Sequence, residues 1–95
     1  MAEMNIIHDE ADLRFYAQVA GEEAELTYTY PEETVLDFDY TYIPSSARNQ
    51  GLSDHLVKAG LEFARQNNLQ VIPSCPVVEV YVKRHPEYQD LLILD

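Results

Sequence analysis

Between Ile43 and Leu56 the chain reads IPSSARNQGLSDHL. Arg48, Asn49, Gln50, Gly51, Leu52 and Ser53 place a cation, two side-chain amides, one of only three glycines and a hydroxyl where an amphipathic run opens. The chemistry such a stretch suits is anion binding. The first turn of a helix presents unpaired backbone N–H groups and about half a positive charge. Gly51 would let a phosphate reach those amides, and Arg48 would add a bidentate donor. The stretch has no Gly-Lys-Ser/Thr and only one glycine, so it is neither a Walker loop nor a dinucleotide fingerprint. The same residues also fit an ordinary strand-to-helix turn capped by Ser45 or Ser46. A second reactive position is Cys75, in Pro73-Ser74-Cys75-Pro76. It falls between a strand end and a helix start, a place where thiols gain nucleophilicity, and it equally fits an inert buried thiol. His8, His55 and His85 are too scattered to suggest a metal site, and no Ser/His/Asp triad can be argued from chain order.

The elements that must hold these residues read as strands first and helices second. RFYAQVA (14–20) alternates as a half-buried strand, and Gly21-Glu22-Glu23 signals a hairpin turn. Ala24, Leu26, Tyr28 and Tyr30 share a face of the next strand, and Pro31-Glu32-Glu33 reads as the following turn. In TVLDFDYTYI (34–43), period two puts Leu36, Phe38, Tyr40 and Tyr42 on one face and Asp37, Asp39, Thr41 and Ile43 on the other, less buried one. From Leu52 the period becomes helical through Leu56, Ala59/Gly60, Phe63 and Ala64, ending at Asn67-Asn68. LQVIP (69–73) is a short fourth strand. Pro76 opens a helix to about Arg84, and Pro86 starts a further short helical turn packed by Leu91, Leu92 and Ile93. The expectation is an α+β domain over 1–95, a mostly antiparallel sheet of about four strands with a central helix and a short C-terminal helical segment.

Composition narrows the partners. The net charge is −11, unevenly spread: residues 1–47 carry eleven acids and one base, whereas 48–84 hold five of the six Lys and Arg residues. The acidic shell argues against nucleic acid, and the basic segment is where an anion would bind. No apolar run is long enough to span a membrane, the N-terminal residues lack the blocks of a secretory signal, and a single cysteine suits the cytoplasm.

The loop and the helix it opens resemble the acyl-CoA-binding motif of the GNAT N-acetyltransferase superfamily, Gln/Arg-x-x-Gly-x-Gly/Ala, with Arg48, Gly51 and Ser53 at the three motif positions. More closely, Ile43-Pro44, Arg48-Asn49-Gln50-Gly51, His55-Leu56, Leu69-Gln70-Val71-Ile72-Pro73-Ser74-Cys75 and Tyr81-Val82-Lys83-Arg84-His85-Pro86-Glu87-Tyr88 resemble the pattern of its small, roughly hundred-residue subfamily. The resemblance implies that the helix beginning at Leu52 binds coenzyme A, with the amides of 48–53 on the pyrophosphate. It implies that the backbone of Thr41, Tyr42 and Ile43 faces the pantetheine and acyl carbonyl. Tyr81 then matches the general acid for the leaving thiolate, and Cys75 either takes the acyl group or lines the thiol channel. The implied activity is transfer of an acetyl group from acetyl-CoA to an amine. Two departures stand out. Tyr40-Thr41-Tyr42 replaces His-Thr-Glu, removing a glutamate base, and Asn49 replaces a glycine. No helical period precedes Leu52, which implies an open acceptor site. An alternative consistent with these departures is a CoA- or acyl-CoA-binding module without catalysis, and a third is a plain interaction domain.

Overall fold

The computed structural model describes residues 5–19, 21–45 and 51–93. Five strands form one sheet in sequential order: β1 (Ile7–Asp9), β2 (Arg14–Val19), β3 (Glu22–Glu32), β4 (Val35–Tyr42) and β5 (Gln70–Ile72). Helix α1 (Leu52–Gln66) joins β4 to β5; α2 (Pro76–Arg84) and a 3-10 helix (Pro86–Leu91) come after β5. The sheet therefore has one strand more than expected. Ile7–Asp9 pairs antiparallel with Arg14–Tyr16, and three residues are too few to show a period. The β3–β4 turn is also displaced. β3 runs through Pro31 to Glu32, Glu32 pairs with Val35, and Glu33-Thr34 make the turn.

The first four strands pair antiparallel, and α1 returns the chain so that β5 lies parallel to β4. Both helices lie on one face of the sheet: α1 contacts β2, β3 and β5, and α2 packs beside α1. The core between them is Phe15, Ala17, Ala24, Leu26, Tyr28, Leu36 and Phe38 from the sheet against Leu52, Leu56, Leu61, Ala64, Val78 and Val82 from the helices. Gly60 brings α1 close. A Cβ there would stand 2.8 Å from the Phe38 ring and 3.2 Å from a Leu26 methyl. The helix ends as its two asparagines predict. Asn68 takes the left-handed conformation (φ +57°), and the Leu69 and Asn68 N–H groups donate to the Ala64 and Arg65 carbonyls at 2.8 and 3.3 Å.

One irregularity overturns a sequence expectation. Tyr28 pairs with Phe38 but Thr27 pairs with Tyr40, so Asp39 is an extra residue, a β-bulge. Beyond it the alternation is reversed. Leu36 and Phe38 are fully buried, yet Tyr40 and Tyr42 are 51% and 42% exposed, while Thr41 and Ile43 turn toward the core. Tyr40 and Tyr42 therefore do not share a face with Leu36 and Phe38, because a one-residue slip moves every later side chain to the opposite face.

Candidate functional site

The bulge lies beside the place where β4 and β5 part. Their last paired residues are Asp37 and Ile72, and the Cys75 N–H then donates to the Phe38 carbonyl at 2.8 Å. From Asp39 to Tyr42, β4 stays paired with β3, but among the described residues no strand pairs with its other edge. Thr41 sits in that fork. Its Oγ1 is 3.2 Å from the Cys75 sulfur, and the thiol is buried, 5% exposed. Thr41 and Cys75, far apart in the sequence, thus meet where the sheet opens. Cys75 is also the N-cap residue of α2, with Pro76 at the first helical position, as the sequence pattern suggested.

Helix α1 begins beside this opening. Gly51 is its N-cap residue, in the left-handed conformation (φ +72°), and it offers no side chain to cap the amides of Leu52 and Ser53. A Cβ on Gly51 would meet nothing within 4 Å, so the helix start is open to an approaching group. Ser45 is therefore not the N-cap residue, and Ser46 lies outside the described residues. Arg48, Asn49 and Gln50 lie outside the described residues.

A cleft of about 420 Å³ separates the first turn of α1 from α2. Ser53 and Asp54 line one side, and Pro76, Val80, Tyr81 and Arg84 the other, with His85 at the end. That volume falls in the range of small-molecule sites, ~300–1,000 Å³. Ser53 and Tyr81, predicted from separate motifs, thus line the same cavity. Tyr81 is 7% exposed and its ring stacks on His85 at 3.9 Å. The His85 Nδ1–H donates to the Tyr81 carbonyl at 2.9 Å, which fixes the imidazole against the phenol ring. Burial pushes the Tyr81 pKa up, and the carboxylates of Asp54, Glu87 and Glu62 add to the shift, so the phenol keeps its proton at neutral pH. Beneath it Tyr88 donates to Glu62 at 2.6 Å, and Arg65 clamps Asp90 at 3.1 Å, tying the 3-10 helix to α1.

Sequence reasoning did not single out Arg84, Asp54 or Val80. Val77, Tyr81 and Arg84 recur at i, i+4 and i+7, the spacing of one helix face, and that signal would have placed Arg84 beside Tyr81. Among the described basic residues Arg14, Arg65 and Lys83 are ion-paired, whereas no ion pair to Arg84 is formed. Asp54 stands in the same cleft and opposes an anion there.

Known proteins agree with this geometry. The NMR structure of a GCN5-like candidate N-acetyltransferase from Staphylococcus aureus superposes with a TM-score of 0.77 at 28% identity, covering 100% of this chain and 94% of that one. Protein NATD1 of Homo sapiens and of Gallus gallus are each 29% identical over 85 residues, 87% of this chain and 75% and 77% of theirs. The zebrafish protein, NATD1 of Danio rerio, is 26% identical over 94 residues, 95% of this chain and 86% of its own. The family model described as GCN5-related N-acetyl-transferase matches residues 14–91, and the chain belongs to that family.

Proposed function

We propose that the protein transfers an acetyl group from acetyl-CoA to an amine, using the fork between β4 and β5 as the reaction site. The observation that carries this reading is the fork itself: an edge of β4 that no described strand pairs, beside a helix start that no described side chain caps and a cleft holding a protonated phenol. Coenzyme A is anionic at its pyrophosphate end and neutral along its pantetheine arm. The pyrophosphate suits the α1 start at Gly51–Ser53, with Arg48, Asn49 and Gln50 of the preceding loop as its further donors. The arm suits the edge of β4 at Thr41 and Tyr42 that no described strand pairs, with Ile43 following on, where backbone groups can bond it as a strand would. The acceptor nitrogen then attacks the thioester carbonyl carbon, the C–S bond breaks, and the Tyr81 hydroxyl gives its proton to the departing thiolate. The proton displaced from the amine passes to water, and the Tyr81 phenolate takes one back from solvent before the next turnover. Cys75 has a positioning part, its thiol held against Thr41, and direct transfer suits so covered a sulfur better than an acyl-cysteine intermediate.

Two measurements on one set of samples test this. Calorimetry with acetyl-CoA should show binding that Gly51→Glu abolishes, since a carboxylate would stand where the phosphates bind. Thiol release from acetyl-CoA with an amine panel should proceed in wild type and survive, with modest loss, in Cys75→Ala. Equal affinity in Gly51→Glu would refute the binding site. Loss of all turnover in Cys75→Ala, with an acetylated wild-type thiol trapped by rapid quench, would replace direct transfer by the covalent route. Binding without transfer to any acceptor would leave a CoA-binding module.

A further inference from the structure

The face of the sheet opposite the helices is uncovered by any described element, and its side chains are not those of a bland solvated surface. Cross-strand register lines them up in rows. Ile7, Tyr16, Glu25 and Tyr42 stand side by side across β1 to β4, and Asp9, Arg14, Thr27 and Tyr40 form the next row. Tyr40 and Tyr42 are 51% and 42% exposed, and Ile7 40%. Carboxylates are interleaved: Glu23 and Glu25 on β3, Asp39 at the bulge accepting from the Thr27 hydroxyl at 2.7 Å, and Asp37 on the same face by strand alternation. The Asp37 Oδ1 is shut off from solvent with no hydrogen-bond partner among the described residues, and a buried carboxylate oxygen calls for a donor. With Asp9 opposite Arg14, the described residues of the face carry five acids against one cation, Arg14.

Arg14 shows what this surface does with a cation. Its guanidinium lies 4.2 Å over the Tyr16 ring and bonds both Glu23 and Glu25, the latter at 3.1 Å. Tyrosine beneath and carboxylate beside is a cation-binding arrangement. The same residue types recur two strands away, where the exposed Tyr40 and Tyr42 flank Thr41 beside Asp39, whose described partner is a hydroxyl and not a cation. The location is telling as well. Thr41 points through the sheet to Cys75, so the exposed tyrosines back directly onto the fork.

We propose that this face docks the acceptor, and that the acceptor is a lysine on an extended basic peptide. The proposal rests on the transferase reading above. The choice of a peptide follows from shape. Low-molecular-weight ligands need concave sites, and both the α1–α2 cleft and a second cavity of about 250 Å³ near Pro73, Val82 and Leu92 lie among the helices. The sheet face is an open β-surface, suited to a chain that places successive cations on successive acidic and aromatic rows. The choice of a basic sequence follows from charge, since the acids here exceed the bases five to one.

The test titrates ¹⁵N-labelled full-length protein with a short lysine-containing basic peptide, an acidic peptide and spermidine. The basic peptide should shift the resonances of Tyr16, Glu25, Tyr40 and Tyr42, weaken with added salt, and bind about tenfold less well to Tyr40→Ala/Glu25→Gln, whose changes lie at surface side chains. Tyr40→Phe, which keeps the ring and cannot disturb the fold, should bind as wild type does. Shifts confined to the helix side, spermidine binding as tightly as the peptide, or no basic-peptide binding at all would each overturn the proposal. Acetylation is read on the same samples. A peptide that docks on this face and is never acetylated sinks the transferase reading alone; a peptide acetylated without engaging the face sinks the docking surface alone.

Discussion

The two halves of β4 do opposite jobs. From Val35 to Phe38 the strand is bonded on both edges, to β3 and to the β5 segment, and Leu36 and Phe38 are fully buried. From Asp39 to Tyr42 it is paired, among the described residues, with β3 alone, and two of its tyrosines stand in solvent. One inserted residue, Asp39, makes the change. It reverses the alternation and brings Thr41 inward to Cys75, beside a backbone edge that no described strand pairs. Backbone polar groups that lose a strand partner must find another, and an extended ligand can be that partner. The closed half should therefore set stability and the open half activity, and substitutions in the two halves should separate the two properties.

The largest effect is expected beside the open half. Tyr81→Phe keeps the ring, its stacking on His85 and its burial, and removes only the proton. General acid catalysis is typically worth ~10²–10⁴-fold, so kcat should fall by about that range. Stability should stay within about 0.5 kcal/mol, because no hydrogen bond from the hydroxyl is formed among the described residues. The pH profile supplies a second reading. Burial and nearby carboxylates raise this phenol's pKa, so its acid form persists above the ordinary tyrosine range of about 10. Wild-type turnover should show no descending limb from this group below that range. A mutant as fast as wild type would remove Tyr81 from the chemistry.

In the closed half the sensitive contact is Gly60 against Phe38. Alanine would gain about 1 kcal/mol of helix propensity. Its Cβ, however, would press to 2.8 Å from an aromatic ring that is itself fully buried. Overpacking of this kind costs about 1–3 kcal/mol, so after the propensity gain Gly60→Ala should be destabilising by up to about 2 kcal/mol in urea unfolding. Acetyl-CoA affinity of the folded fraction should not move. A stabilised mutant would mean that α1 rides farther from β4 than the contact distances state.

Legibility in the sequence divides along the same line. The regular parts were legible: β2, β3 and the first half of β4 by alternation, α1 by its apolar stripe and its asparagine stop, α2 by Pro76. The matching family and fold came from motifs that those elements carry, Ile43-Pro44, Gly51 and the Cys75 and Tyr81 stretches. The bulge was not legible. Leu36, Phe38, Tyr40 and Tyr42 continue a perfect period of two, and nothing local to Asp39 announces an extra residue; only pairing with Thr27 and Tyr28 reveals it. β1 was missed for a similar reason, since three residues acquire their conformation from a neighbouring strand. Arg84 shares a helix face with Tyr81 by spacing, but the cleft that gives this face a use exists only where α1 packs beside it.

The smallest predicted effect probes how far the closed half extends. Tyr28 pairs with Phe38, and its hydroxyl lies 2.5 Å from His8 Nε2 on β1, so the added edge strand is tied to the same buried ring. His8 also stacks on Phe15 at 4.0 Å. Burial lowers the His8 pKa, and the nearby Glu10 and Asp9 carboxylates only partly oppose it. The folded state thus binds a proton less readily than the unfolded chain. Above the unfolded value of about 6.5 the ring is neutral in both states and nothing is lost. As pH falls below that value, the unfolded chain takes up the proton first, and stability declines toward the folded pKa. Melting curves between pH 7.5 and 5.0 should show this decline in wild type. His8→Gln retains a hydrogen-bonding group for Tyr28 but does not titrate, so its curve should be flatter across the same interval, where Asp and Glu contribute little. Parallel curves for the two proteins would mean that β1 is held by its backbone pairing alone, and that the closed half ends at Tyr28.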